Sequence, residues 1–165
     1  MIRHAGEADL PVILEIYARA RKFMAENGNT VQWKNNRPSR EQIEKDIEEN
    51  ILYVYENNGA IQGVFAFIPG IDPTYSFIDG AWQDDSPYAA IHRVASAGKE
   101  KGVFTKIADY CKSQSPHLRI DTHEVNLPMQ GAVEKNGFRK CGTIYLEDGS
   151  PRIAYEYVGN NPKRG

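Results

Sequence analysis

The stretch IHRVASAGKEKGVF, residues 91–104, turns a β-strand into a helix through a short glycine- and lysine-rich turn. Ile91 to Ser96 reads as a strand, whereas Val103 onward carries Phe104, Ile107, Ala108 and Cys111 on one helical face. A strand that hands over directly to an apolar-faced helix requires that helix to pack on a sheet, which constrains the chain to a layered α/β arrangement. The junction also has a chemical consequence. The first N–H groups of a helix lack intrahelical partners and carry the positive end of its dipole, so the backbone alone makes an anion site. Gly98 and Gly102 allow close approach and backbone conformations that a Cβ hinders, and Lys99 and Lys101 add charge. A diphosphate fits this chemistry; an ordinary solvated turn fits the same residues. Neither a P-loop nor a GxGxxG fingerprint is present.

The rest of the chain extends this layered reading. Ile2 to His4 predicts a short strand, Asp9 a helix cap with Pro11 in the first turn, and Leu10 to Glu26 an amphipathic helix stopping at Asn27-Gly28. SREQIEKDIEEN starts a second helix at a capping-box pattern, Ser39 with Gln42. ILYVYENNGAIQGVFAFIPG predicts a hairpin about Asn57-Asn58-Gly59, residues that tolerate the positive φ of tight turns. TYSFIDGAW reads as a further β-like run. Tyr88–Ser96 and Leu118–His123 follow as strands, Leu127 to Asn136 as a short helix, and the last segment as a hairpin about Asp148-Gly149. The expected fold is α/β (α+β): a mixed, mostly antiparallel twisted sheet of about seven strands with about four helices on its faces. A length of 165 residues suits one domain over residues 1–159, with 160–165 a loose tail.

Composition excludes several function classes. Twenty Lys and Arg stand against 22 Asp and Glu, for a formal charge of -2, so no global basic field attracts nucleic acid or an anionic membrane. No 18-residue apolar run or signal-like start is present, which makes a cytoplasmic protein the expectation. Cys111 and Cys141 have no CxxC spacing and sit in apolar-periodic segments, so buried reduced thiols are expected rather than a metal site.

HRVASAGKEKGVF, the helix after it, LRIDTHEVN, a short helix, and EKNGF before a terminal hairpin together resemble the core of the GNAT superfamily of acyl-CoA-dependent N-acyltransferases. The resemblance runs from about Ile2 to Val158 and is strongest between Tyr88 and Phe138. It implies that acetyl-CoA is the cosubstrate, with its pyrophosphate on the turn Lys99, Glu100, Lys101, Gly102, Val103 and Phe104. It further implies that Val94, Ala95 and Ser96 face the cofactor, the Val94 N–H binding the thioester oxygen and the Ser96 main chain the pantetheine. Asn126 matches an asparagine that contacts the cofactor arm. Phe104 stands where the family has a small residue, and the turn is about two residues shorter than the common form.

The implied reaction is direct attack of a small-molecule amine on the acetyl thioester. His92 is the first choice of base, because imidazole has an ordinary pKa near 6.5 and can accept a proton near pH 7. Its position resembles that of the strand histidine of the arylalkylamine branch. Two residues before Val94, it shares that residue's face in a regular strand. Asp121, His123 and Glu124 at the end of the next strand are candidates to bind or deprotonate the amine, and solvated strand-end residues are the alternative. The family's thiolate-protonating tyrosine is replaced by Val133, leaving Tyr145 or water as donor. Trp33, Tyr75 and Trp82 are candidate walls of the amine pocket, or simply packed aromatics. A catalytically silent acyl-CoA binder, or an acyltransferase with another acyl group or acceptor, remains the alternative function. The family also implies a homodimer through the terminal hairpin.

Overall fold

The computed structural model describes residues 1–28 and 37–159. Its strands are β1 (Ile2–His4), β2 (Leu52–Asn57), β3 (Ala60–Pro69), β4 (Asp79–Gly80), β5 (Ala89–Ser96), β6 (His117–Thr122), β7 (Arg139–Tyr145) and β8 (Pro151–Val158); its helices are α1 (Leu10–Glu26), α2 (Arg40–Glu48), α3 (Val103–Gln114) and α4 (Leu127–Lys135). The eight strands are mostly antiparallel, close to the expected seven. The β-like run TYSFIDGAW is shortened to the two-residue β4, because Asp72 and Pro73 start a 3-10 turn over Pro73–Tyr75. The chain divides into two compact units, Met1–Phe67 with His92–Ile107, and Ile68–Ile91 with the chain from Ala108 on.

In the first unit β1, β2 and β3 pair antiparallel. The β2–β3 turn places Asn58 at φ 54 and Gly59 at φ 75, as the hairpin signal requires. The stripe Ile13, Ile16, Tyr17 and Ala20 of α1 is buried, as are Ile43 and Ile47 of α2. Ser39 caps α2 by accepting the Gln42 N–H at 3.1 Å. Asp9 does not cap α1. Its carboxylate is taken by the Arg3 guanidinium at 2.8 and 2.9 Å and by the Gly6 N–H, and Arg3 holds it below the usual carboxylate range.

The second unit orders the first half of β5 next to β6, then β8, β7 and β4. β5 runs parallel to β6 over Ala89–Ile91; the other pairs are antiparallel. Across β6 and β8, Arg119 faces Glu156 and Asp121 faces Ala154. Strand alternation therefore puts His117, Arg119 and Asp121 on one sheet face with Glu156, Ala154 and Arg152. That face is covered by Tyr75, Trp82 and Tyr88. It buries ionic groups: Glu156 accepts from His117 Nε2 at 2.5 Å, from Arg119 Nε at 3.0 Å and from the Gln83 N–H at 2.6 Å. Arg119 completes its bonding on the Asp84 carbonyl and lies against the rings of Trp82 and Tyr88, 4.0 and 4.1 Å from their centroids. Cys111 is buried, which pushes its thiol up to about 12. Cys141 is only half-buried, against expectation, because it lies on β7 where β4 covers just Gly142 and Thr143. No helix among the described residues is long and apolar enough to cross a membrane.

Candidate active site

The turn after β5 is built within the first unit. Gly98 and Gly102 take φ 78 and 72, left-handed conformations that disfavour any side chain with a Cβ. The Gly98 N–H donates to Ser96 Oγ at 3.0 Å, and Arg19 Nη1 donates to the Ser96 carbonyl at 3.2 Å. A Cβ on Gly98 would fall on the Arg19 guanidinium, so that side chain of α1 lies over the turn. Glu100 anchors the other side: its carboxylate accepts from Asn57 Nδ2 at 2.5 Å and from the Tyr55 hydroxyl, contacts that hold it below the ordinary glutamate range. Lys99, Lys101 and Gly102 are exposed, whereas Val103 and Phe104 are buried. The bulk of Phe104 is absorbed by the core. Backbone amides, two left-handed glycines and two exposed lysines thus surround the first turn of α3, a donor set suited to an anion.

Just before the turn, Arg93 adopts φ 53, rare for a non-glycine residue. Its carbonyl accepts the Tyr17 hydroxyl at 2.7 Å, and its Nε donates to Asp46 Oδ2 at 2.7 Å. Asp46 is 1 % exposed and takes a second bond from Gln42 Nε2. Helices α1 and α2 thereby hold a left-handed residue in the middle of β5, two residues after Ile91, where its pairing with β6 ends. The regular alternation that would place His92 and Val94 on one face does not hold through Arg93. His92, Val94 and Ser96 are half-buried, and Ala95 is buried.

In the second unit, Asp121 Oδ2 accepts the buried Tyr75 hydroxyl at 2.6 Å; burial first, and the Asp121 charge and this bond after it, raise the Tyr75 pKa well above its ordinary value. His123 Nδ1 accepts the Val125 N–H at 3.1 Å. Burial and the Arg152 charge hold His123 below the ordinary imidazole value, with Glu124 opposing. Glu124 is exposed. Asn126 is buried and uses Oδ1 to cap α4 through the Met129 N–H. Trp82 donates Nε1 to the Tyr75 carbonyl, so both aromatics are packed. Tyr145 is 42 % exposed beside Phe77. Trp33 lies outside the described residues. Arg19, Tyr17, Asp46 and Arg152 were not among the sequence candidates.

No family model matches this sequence, and no curated protein does. Solved structures do. A GNAT-family acetyltransferase from Streptococcus agalactiae superposes with a TM-score of 0.90 at 28 % identity, covering 98 % of this chain and 96 % of that one. The chain has the GNAT fold. More distant GNAT folds include GphF, a GNAT-like decarboxylase in complex with isobutyryl-CoA, at 15 % identity, TM-score 0.66, and 96 % and 98 % coverage. Another is AAC(6′)-Ib in complex with paromomycin and acetyl-CoA, at 19 % identity, TM-score 0.64, and 96 % and 92 % coverage. Val133, where the resemblance expects a tyrosine, is fully buried in α4.

Proposed function

We propose that the protein is an N-acetyltransferase that moves an acetyl group from acetyl-CoA to the amine of a small molecule. The observation that carries this reading is the turn of residues 98–104, with left-handed glycines, exposed lysines and a helix start on a GNAT fold. In this reading the turn holds the pyrophosphate and the Val94 N–H polarises the thioester carbonyl, a donor worth about 3 kcal/mol in such reactions. The amine nitrogen bonds to the carbonyl carbon, the carbon–sulfur bond breaks, and the thiolate of coenzyme A leaves and takes up a proton. His92 accepts the amine's proton, while Asp121 and His123 serve the incoming ammonium. His123, held below the ordinary imidazole range, is neutral near pH 7 and suited to that role.

Turnover is tested by coenzyme A thiol release across a panel of small amines, with mass analysis for acetylated product. His92→Gln is expected to lower the rate at saturating acetyl-CoA about 100-fold, and an unchanged rate sinks its assignment. The rate also depends on neutral His123, so activity falls as pH drops through that residue's pKa. One acid-side ionisation below pH 6.5 is expected in wild type and lost in His123→Gln, leaving the limb of the base itself; an acid-side profile that His123→Gln leaves unchanged contradicts the role. A second reading, an acyl-CoA binder without turnover, is favoured by Val133, which leaves α4 with no thiolate acid at that position. Coenzyme A binding without thiol release for any amine would select it.

A further inference from the structure

The buried face of the second unit carries two arginines, Arg119 and Arg152, with contrasting environments. Arg119 has its carboxylate inside the protein, Glu156, and a carbonyl and two aromatic rings besides. Arg152, on β8 four residues before Glu156, is 7 % exposed and has no ion pair among the described residues. Its hydrogen bonds leave from Nη1 alone, to the Pro151 carbonyl at 2.7 Å and Ser150 Oγ at 3.5 Å. Nε and the adjacent Nη2, with three of the five guanidinium N–H donors, make no hydrogen bond among the described residues. Among those residues the only fully occluded side-chain atom without a partner is Gln62 Oε1, so this edge of Arg152 keeps contact with solvent.

Arg152 thus holds its charge through solvent contact on this edge, with Asp121 and Asp148 acting on it at a distance, and not through a carboxylate bound inside the protein. The free Nε/Nη2 edge is the side of a guanidinium that meets a carboxylate with two parallel N–H···O bonds. Its neighbours fit an acceptor bearing both charges. Thr122 pairs with Ile153, which brings His123 level with Arg152, and the Arg152 charge acts on that histidine. Asp121 is the diagonal neighbour across β6 and β8; its charge reaches Arg152 without forming an ion pair, and the Tyr75 hydroxyl fixes its orientation. We infer that Arg152 binds a carboxylate of the acceptor, with Asp121 beside it for the ammonium, so that the acceptor is an amino-acid-like aminocarboxylate. A polycation would bring further positive charge against Arg152.

The inference rests on the acetyltransferase reading for the word acceptor, but its test reads binding alone. Isothermal calorimetry with coenzyme A present would titrate the wild-type protein with the common amino acids, each beside its decarboxylated amine. At least one acid is expected to bind about tenfold or more tightly than its amine. The preference should vanish in Arg152→Met and survive in part in Arg152→Lys, both checked for folding by circular dichroism. Arg152→Met removes a poorly paired charge and is expected to melt no lower than wild type. Equal or absent binding throughout the panel, or a preference that persists in folded Arg152→Met, overturns the assignment. Thiol release distinguishes the two failures: an acid preference with no turnover for any amine leaves the carboxylate site standing and removes the acetyltransferase reading.

Discussion

Glu156→Ala is expected to destabilise the protein by about 3–5 kcal/mol, the cost of breaking a buried ion pair from one side. The carboxylate is fully buried and meets four donors: His117 Nε2, Arg119 Nε, the Gln83 N–H and, at 3.9 Å, the Cys141 thiol. Removing it strands the Arg119 guanidinium, 5 % exposed and fixed between Trp82 and Tyr88, with no carboxylate partner. For a chain of this length that energy lowers the melting midpoint by roughly 6–20 °C. Glu156→Gln, which keeps the volume and an acceptor oxygen, should lose less. Thermal unfolding followed by circular dichroism checks the order; a fall below about 2 °C in Glu156→Ala would mean that the network contributes little.

Gly98→Val is expected to raise the dissociation constant for acetyl-CoA at least about tenfold, or about 1.4 kcal/mol of binding free energy. Two effects combine. At φ 78 a β-branched residue is strained, and its Cβ would collide with the Arg19 guanidinium. Relief of that collision swings the Arg19 guanidinium off the Ser96 carbonyl, and the strain at φ 78 falls on the turn, whose backbone N–H groups are the proposed phosphate donors. Lys99→Ala and Lys101→Ala remove only exposed charge, so smaller losses that shrink further at high salt are expected. Calorimetry at two ionic strengths separates the cases. Affinity unchanged in Gly98→Val would remove the pyrophosphate from this turn.

The sequence made local features legible wherever local chemistry decides them. Asn57-Asn58-Gly59 forms the expected hairpin because positive φ is a property of those residues, and Ser39 caps α2 because its hydroxyl reaches the Gln42 N–H. The glycine turn was visible for the same reason. Where distant groups compete, the reading failed. Asp9 reads as a cap until Arg3, six residues away, takes its carboxylate. Arg93 reads as an ordinary strand residue because nothing in IHRVAS marks a left-handed position; that conformation depends on Tyr17 from α1 and Asp46 from α2. The alternation in RIAYE and LRID marks two strands, but charged residues on one face ordinarily signal solvent. Here Trp82, Tyr75 and Tyr88 cover that face, which hides both the Glu156 network and Arg152 from any reading by periodicity.

Thermal unfolding with saturating acetyl-CoA, coenzyme A or ATP tests the phosphate turn and the acyltransferase reading together. At a ligand concentration of 100 times the dissociation constant, binding to the native state adds about 2.7 kcal/mol, a midpoint rise of roughly 5–10 °C for a chain of this length. A rise with acetyl-CoA and coenzyme A but not with ATP is the predicted result. A folded protein whose midpoint moves with none of them, or equally with all three, would contradict the account.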